Sequence, residues 1–191
     1  MNQDTFVHRI VAPPDPAETV VLGVILTIPE PWAQLLVDWR RKVGDPQATM
    51  VPPHVTLLPP TEVPTADRAA VSEHLAGVAR RHAPFDVHLS GTGTFRPVSE
   101  VVFVAVARGI GDCESIARDV RRGPLTRELS FPYHPHVTVA QDVPRDMLDL
   151  AYCGLADLTA RFQVDHFTEY QQQPGGEWAV AARYPLTGPG Y

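Results

Sequence analysis

The sequence is short of several things, and each shortage narrows what the protein can be. It has two cysteines in 191 residues, Cys113 and Cys153. Their spacing suits neither a disulfide framework nor a cysteine metal site, so both read as small thiols in a reducing compartment. No apolar run approaches the roughly 20 residues of a membrane span. The opening residues Met1-Asn2-Gln3-Asp4 offer neither the basic start nor the apolar stretch of a secretory signal. These shortages predict a soluble cytoplasmic protein with no membrane partner. Basic charge is scarce too: 16 Lys+Arg stand against 22 Asp+Glu, for a net charge of −6. Proteins that grip long nucleic acid by neutralising phosphates carry the opposite balance. Long nucleic acid is therefore not an expected partner, whereas a nucleotide or an RNA end needs only a local pocket.

Proline, by contrast, is abundant, at 20 residues, and most of it falls between apolar runs as loop punctuation. Hydrophobic content of 44% and charged content of 20% are ordinary globular values, and the length suits one core. Residues 1–18 read as a Pro-rich leader, with Ala12-Pro13-Pro14-Asp15-Pro16 unfit for helix or central strand. Residues 19–191 read as a single domain, expected to be monomeric.

Within that domain one phrase occurs twice: Pro53-His54-Val55-Thr56-Leu57 and Pro135-His136-Val137-Thr138-Val139. Side chains alternate faces along a strand. His54 and Thr56 then share one face while Val55 and Leu57 anchor the other, and the second copy repeats this with His136 and Thr138. The two histidines lie 82 positions apart, a spacing that lets each half of a domain supply one strand to a shared cleft. A looser His-x-Ser/Thr pattern also occurs at His88-Leu89-Ser90 and His166-Phe167-Thr168. Without the proline and the aliphatic flanks, those two read as ordinary strand residues.

Apolar periodicity orders the rest. A buried strand is predicted over 19–28 and a helix over 32–42, with Trp32, Leu35, Leu36 and Trp39 inward. The first motif strand, 55–58, is bracketed by prolines. A helix over 66–82 follows, with Thr65 as its cap. Strands over 85–90 and 101–107 form a hairpin whose turn chemistry comes from Gly91, Gly93 and Pro97. A helix over 113–122 capped by Asp112, the second motif strand, a helix over 145–158 and two strands, 160–170 and 177–184, complete the chain. The expectation is an α+β, bilobal, duplicated fold: two mainly antiparallel sheets face a central cleft, with helices packed outside.

Histidine exchanges protons near neutral pH. Two imidazoles on opposite sides of a phosphodiester can act in line, one taking a proton from the attacking oxygen and the other giving one to the leaving oxygen. Hydroxyls two residues on can hold the non-bridging oxygens. The scheme needs no metal or other cofactor, and the acidic clusters of a two-metal site are lacking. Other candidates for substrate contact are His134, Tyr133, Phe95 and Arg96, with Phe131 and Arg127 beside them: the aromatics could stack on a base, and the arginines would suit a terminal phosphate.

The paired motifs resemble the signature of the 2H phosphoesterase superfamily, which includes 2′,5′ RNA ligase-like proteins and cyclic nucleotide phosphodiesterases. The stretch Leu89 to Pro97 with the apolar run Val101 to Val106 resembles that family's middle hairpin, and the likeness covers roughly residues 20–186. The resemblance implies His54 and His136 as the acid/base pair, Thr56 and Thr138 as phosphate ligands, and cyclic phosphates or 2′,5′ linkages as substrates, with reverse ligation as a further possibility. Two other readings stand beside it: a module that holds a nucleotide in the same cleft without turnover, and a histidine-based metal site, poorly supplied because no Asp, Glu or Cys accompanies the motifs.

Overall fold

The structure is a computed structural model that describes residues 18–190. In chain order the elements are β1 (Thr19–Thr27), α1 (Trp32–Lys42), β2 (His54–Pro64), α2 (Arg68–Ala79), β3 (Phe85–Thr94) and β4 (Val101–Arg108). Then come α3 (Ile110–Val120), β5 (His136–Gln141), α4 (Arg145–Gly154), β6 (Thr159–Val164), β7 (His166–Gln172) and β8 (Trp178–Pro185). Apart from Glu18, the Pro-rich leader lies outside the described residues.

The strands form one sheet in the order β6-β3-β4-β5-β2-β1-β7-β8, and all its pairings are antiparallel. This corrects the expectation of two facing sheets. The two halves exist as four strands each, β8-β7-β1-β2 and β5-β4-β3-β6, but they join edge to edge. The join is the pairing of β2 with β5 at Val55 and Val137, the centres of the two repeated phrases.

Each half places a helix between the strand that carries a motif and its neighbour: β1-α1-β2 in one, β4-α3-β5 in the other. Val55, Leu57, Val137 and Val139 are fully buried and join one core with Leu36 of α1, Leu75 of α2, Ile116 of α3 and Leu148 of α4. Burying four such side chains from two short strands contributes several kcal/mol, at roughly 1.5–3 kcal/mol each. The helices thus cover the apolar face at the motifs and leave His54, Thr56, His136 and Thr138 on the opposite one.

Some boundaries differ from the sequence expectation. β2 continues through Pro59 and Pro60 to Pro64, because β5 pairs with it only at Val55 and the prolines face an edge that needs no donor. The expected strand 160–170 is two strands, β6 and β7, broken at Asp165. β6 pairs with β3 and β7 with β1, so the chain crosses there from one half to the other. Thr65 makes no side-chain cap; residues Thr65–Asp67 form a 3-10 turn instead. α3 starts at Ile110 rather than 113, entered through Gly109 at φ 87°, a left-handed conformation suited to glycine.

Candidate active site

The register at the join decides the site. With Val55 opposite Val137 in antiparallel strands, His54 falls across from Thr138 and Thr56 across from His136. The four side chains make a compact square at the centre of the sheet, each histidine next to the other strand's hydroxyl. The looser matches fall outside it. His88 bonds the Thr159 hydroxyl at 2.8 Å, and His166 bonds Asp165 at 2.6 Å, while Thr168 is buried.

The two imidazoles are held the same way. His54 Nδ1 lies 2.7 Å from the carbonyl oxygen of Pro52, and His136 Nδ1 lies 2.7 Å from that of His134. A carbonyl only accepts, so each Nδ1 carries the hydrogen and donates it. In the neutral rings Nε2 is then the proton acceptor in both. The proline before each histidine helps: it fixes extended backbone around positions 52–54 and 134–136, which aims the preceding carbonyl at the ring.

Burial pushes both histidines below the ordinary value of 6.5, and the carbonyl bonds pull partly against it. Beyond that the surroundings differ. His54 is also pushed down by the Arg40 guanidinium and by His136. His136 is pushed down by His134. Arg40 is itself buried, donating through Nε to Asp45 at 2.9 Å and through Nη1 to the Val51 carbonyl at 3.3 Å.

Two cavities flank the square and share Thr56 and Pro59. The narrower, about 230 Å³, is walled by His54, Thr138, Arg40, Tyr170, Trp178 and Gln141. The wider, about 620 Å³, is walled by His136, His134, Tyr133, Phe95, Arg121 and Arg127, with Phe131 at its lip 68% exposed. No carboxylate lines either cavity, although the chain carries six more acidic than basic residues. Among the described residues no three His, Cys, Asp or Glu side chains converge into a metal-binding group.

Of the further sequence candidates, Tyr133, His134 and Phe95 are brought to the wider cavity. Tyr133 donates its hydroxyl to the Thr56 carbonyl at 2.9 Å, and burial holds that hydroxyl protonated well above the usual phenol range. His134 stacks on His136 at 6.2 Å between ring centres, and Phe95 meets His136 edge-on at 4.9 Å. Arg96 is not brought in: it turns away to Asp149 at 2.8 Å and to the Thr94 hydroxyl.

Sequence reasoning missed Arg40, Arg121, Tyr170, Trp178 and Phe103. Phe103 packs 5.1 Å from His136 and 4.6 Å from Phe95. It does so because Gly93 is a glycine; a Cβ there would stand 2.5 Å from the Phe103 ring. Gly93 is therefore a packing residue behind the site, and only pairing information could have shown it.

This geometry has relatives. The sequence profile of the 2′-5′ RNA ligase superfamily matches residues 28–176, a span that includes both motifs. The chain belongs to the 2′-5′ RNA ligase superfamily. Its relatives include a Bacillus cytotoxicus protein named "Putative phosphoesterase", 31% identical over 146 residues that cover 76% of this chain and 80% of that one. The fold matches LigT of E. coli in its apo form, with a TM-score of 0.66 and 23% identity, covering 90% of this chain and 99% of LigT. It matches LigT complexed with 3′-AMP at a TM-score of 0.64 and 24% identity, over 89% of this chain and 99% of LigT. Family and fold together support a 2H-type phosphoesterase function.

Proposed function

We propose that the protein is a metal-independent phosphodiesterase that opens a cyclic phosphate, a 2′,3′-cyclic nucleotide or RNA end, or cleaves a 2′,5′-phosphodiester linkage. The observation that carries this is the square of two histidines and two threonines at the join of β2 and β5, in which both Nδ1 atoms are held by carbonyls and both Nε2 atoms are left free to exchange protons. The cleft's walls suit an anion, since arginines line them and carboxylates do not. The family includes RNA-end enzymes by name, and the neighbour LigT has been solved with a nucleotide bound.

In this reading the scissile phosphate sits over the join of β2 and β5. Burial, the Arg40 cation and His136 all disfavour a proton on His54, so we assign His54 as the neutral base and His136 as the acid. His54 Nε2 takes a proton from water as the water oxygen attacks phosphorus. His136 gives its Nε2 proton to the departing ribose oxygen. The hydroxyls of Thr56 and Thr138 donate to the non-bridging oxygens, where charge builds up. For ligation a 5′-hydroxyl would take the place of water: its proton goes to one imidazole as its oxygen bonds to phosphorus, and the other imidazole protonates the ribose oxygen released from the cyclic phosphate.

The test is hydrolysis of adenosine 2′,3′-cyclic phosphate in EDTA, with wild type beside His54→Ala and His136→Ala. Wild-type turnover that both substitutions abolish is the expected result. Nucleotide binding without turnover of this compound or of a 2′,5′-linked dinucleotide would replace the enzyme with a binding module that uses the same cleft.

A further inference from the structure

Seven arginines are ion-paired in the described structure: Arg40, Arg41, Arg68, Arg96, Arg118, Arg122 and Arg145. The two on the wall of the wider cavity are not. Arg121 donates through Nη1 to the Leu57 carbonyl at 2.8 Å, and its guanidinium lies 4.8 Å from the Tyr133 ring centre. Arg127 donates through Nη1 to the Pro60 carbonyl at 3.1 Å and to the Thr61 hydroxyl at 2.8 Å. Neither meets a carboxylate, and among the described residues their Nε and Nη2 atoms have no partner.

Arg121 is partly desolvated, and Arg127 is near enough to repel it. Two like charges line the same cavity, one held by the Leu57 carbonyl and the other by the Pro60 carbonyl and the Thr61 hydroxyl, and their remaining donors are open to a ligand. An acidic chain has carboxylates enough to neutralise them and places none there. Such a pair fits an anion that arrives with the ligand.

The scissile phosphate does not explain both arginines. In the proposed reaction the threonine hydroxyls and the two imidazoles already surround it, and Arg121 and Arg127 hang on Leu57, where the motif phrase ends, and on Pro60, past it on β2. Between them and His136 lie Tyr133 and Phe95, in a cavity of about 620 Å³, which is within the size range of small-ligand sites.

We propose that Arg121 and Arg127 form a subsite for a second phosphate of the substrate, separate from the one that reacts. The inference rests on the phosphodiesterase reading and names its substrate class: a nucleotide whose cyclic phosphate is accompanied by a phosphate on the 5′ oxygen. That second phosphate has two sources. It is a 5′-phosphomonoester in a mononucleotide, or the preceding phosphodiester in an RNA end.

The experiment compares kcat/KM for adenosine 2′,3′-cyclic phosphate, the same compound carrying a 5′-phosphate, and a diadenosine ending in the same cyclic phosphate. Wild type is expected to favour the 5′-phosphorylated compound by about tenfold, the scale of one charge-assisted contact. Arg127→Ala should erase most of that ratio. Arg122→Ala, which removes an exposed charge outside the cavity, should keep it. Equal preference for the dinucleotide identifies an RNA end, and preference for the phosphomonoester alone identifies a mononucleotide. A wild-type ratio near one overturns the subsite and leaves the phosphodiesterase reading standing. In parallel, calorimetry compares adenosine 2′-phosphate with adenosine 2′,5′-bisphosphate, which needs no turnover. Tighter bisphosphate binding that Arg127→Ala abolishes sustains the subsite even if neither cyclic compound reacts; equal binding of the two overturns it.

Discussion

The two motif strands were built to one pattern and furnished differently. Both histidines donate from Nδ1 to the carbonyl two residues back at 2.7 Å, and both sit beside the other strand's threonine. Around His54 the cavity is narrow and a buried guanidinium stands close. Around His136 it is wide, and Phe95, Phe103 and His134 pack on the ring. Repetition of the strand fixes which ring nitrogen is left free; divergence of the surroundings is what separates acid from base in the proposed reaction. On the proposed function, a site built from two copies of one phrase would run an asymmetric reaction without changing its reacting groups.

The sharpest way to break this comparison is to remove each imidazole in turn. His54→Ala and His136→Ala are each expected to lower kcat/KM by about 10²–10⁴-fold, the usual weight of a positioned acid or base. A p-nitrophenyl phosphodiester, whose leaving group needs no proton, distinguishes them. It should restore much of the activity of His136→Ala and little of His54→Ala. Rescue of the opposite variant would reverse the assignment.

The halves also differ in how charge is buried. Glu169 of β7 is 0% exposed and is held by Arg68 at 2.6 Å and by the Tyr184 hydroxyl at 2.8 Å. The other half has Arg96 paired with Asp149, whose side chain is 65% exposed. Arg68→Ala should cost about 3 kcal/mol, because it strands a buried carboxylate. Arg96→Ala should cost less than about 1 kcal/mol, because water replaces the partner. Urea unfolding of the two variants checks this; equal losses would mean that the Glu169 network is no tighter than a surface pair.

The threonines come next in size. Thr56→Val and Thr138→Val should each lower kcat, by up to about a hundredfold, as expected for one donor to a developing charge. Thr56 borders both cavities and Thr138 only the narrow one, so the loss should be larger for Thr56. Single-turnover rates on the cyclic nucleotide measure it. Equal losses would place the phosphate midway between the two strands.

Much of this was legible in the chain. Alternation along His54-Val55-Thr56-Leu57 and its copy showed which side chains point together, because that information is local. The α+β composition, with a helix ahead of each motif strand, could be read for the same reason. The single sheet could not, since it depends on Val55 meeting Val137, a contact across 82 positions that neither strand announces. Nor could the crossing between the halves at Asp165, because the polar pair Asp165-His166 interrupts the alternation Ala160-Phe162-Val164 without announcing a change of partner strand. Arg96 and Arg127 look alike in the sequence. Only the fold shows that Asp149 turns one away while the Pro60 carbonyl and Thr61 hydroxyl of β2 hold the other at the cavity wall.

The smallest expected effect concerns pH, and it tests the asymmetry most finely. The free-enzyme profile, kcat/KM against pH, reports both imidazoles, and both are pushed below 6.5. The bell should therefore peak on the acid side of 6.5. Its acid limb marks His54 taking the proton that disables the base, and its alkaline limb marks His136 losing the proton it must give. His134→Gln removes a neighbour that pushes His136 down and leaves the backbone carbonyl in place. The alkaline limb should then move up while the acid limb stays. Stability should follow the same sign. The unfolded chain binds protons at these two positions more readily than the folded one, so their contribution is fully present above 6.5 and is lost as pH falls through the folded values. Thermal unfolding at pH 7.5 and 5.5 reads that loss, which His134→Gln should reduce. If instead the acid limb moves, His134 acts on the base, and the two motif strands exchange roles.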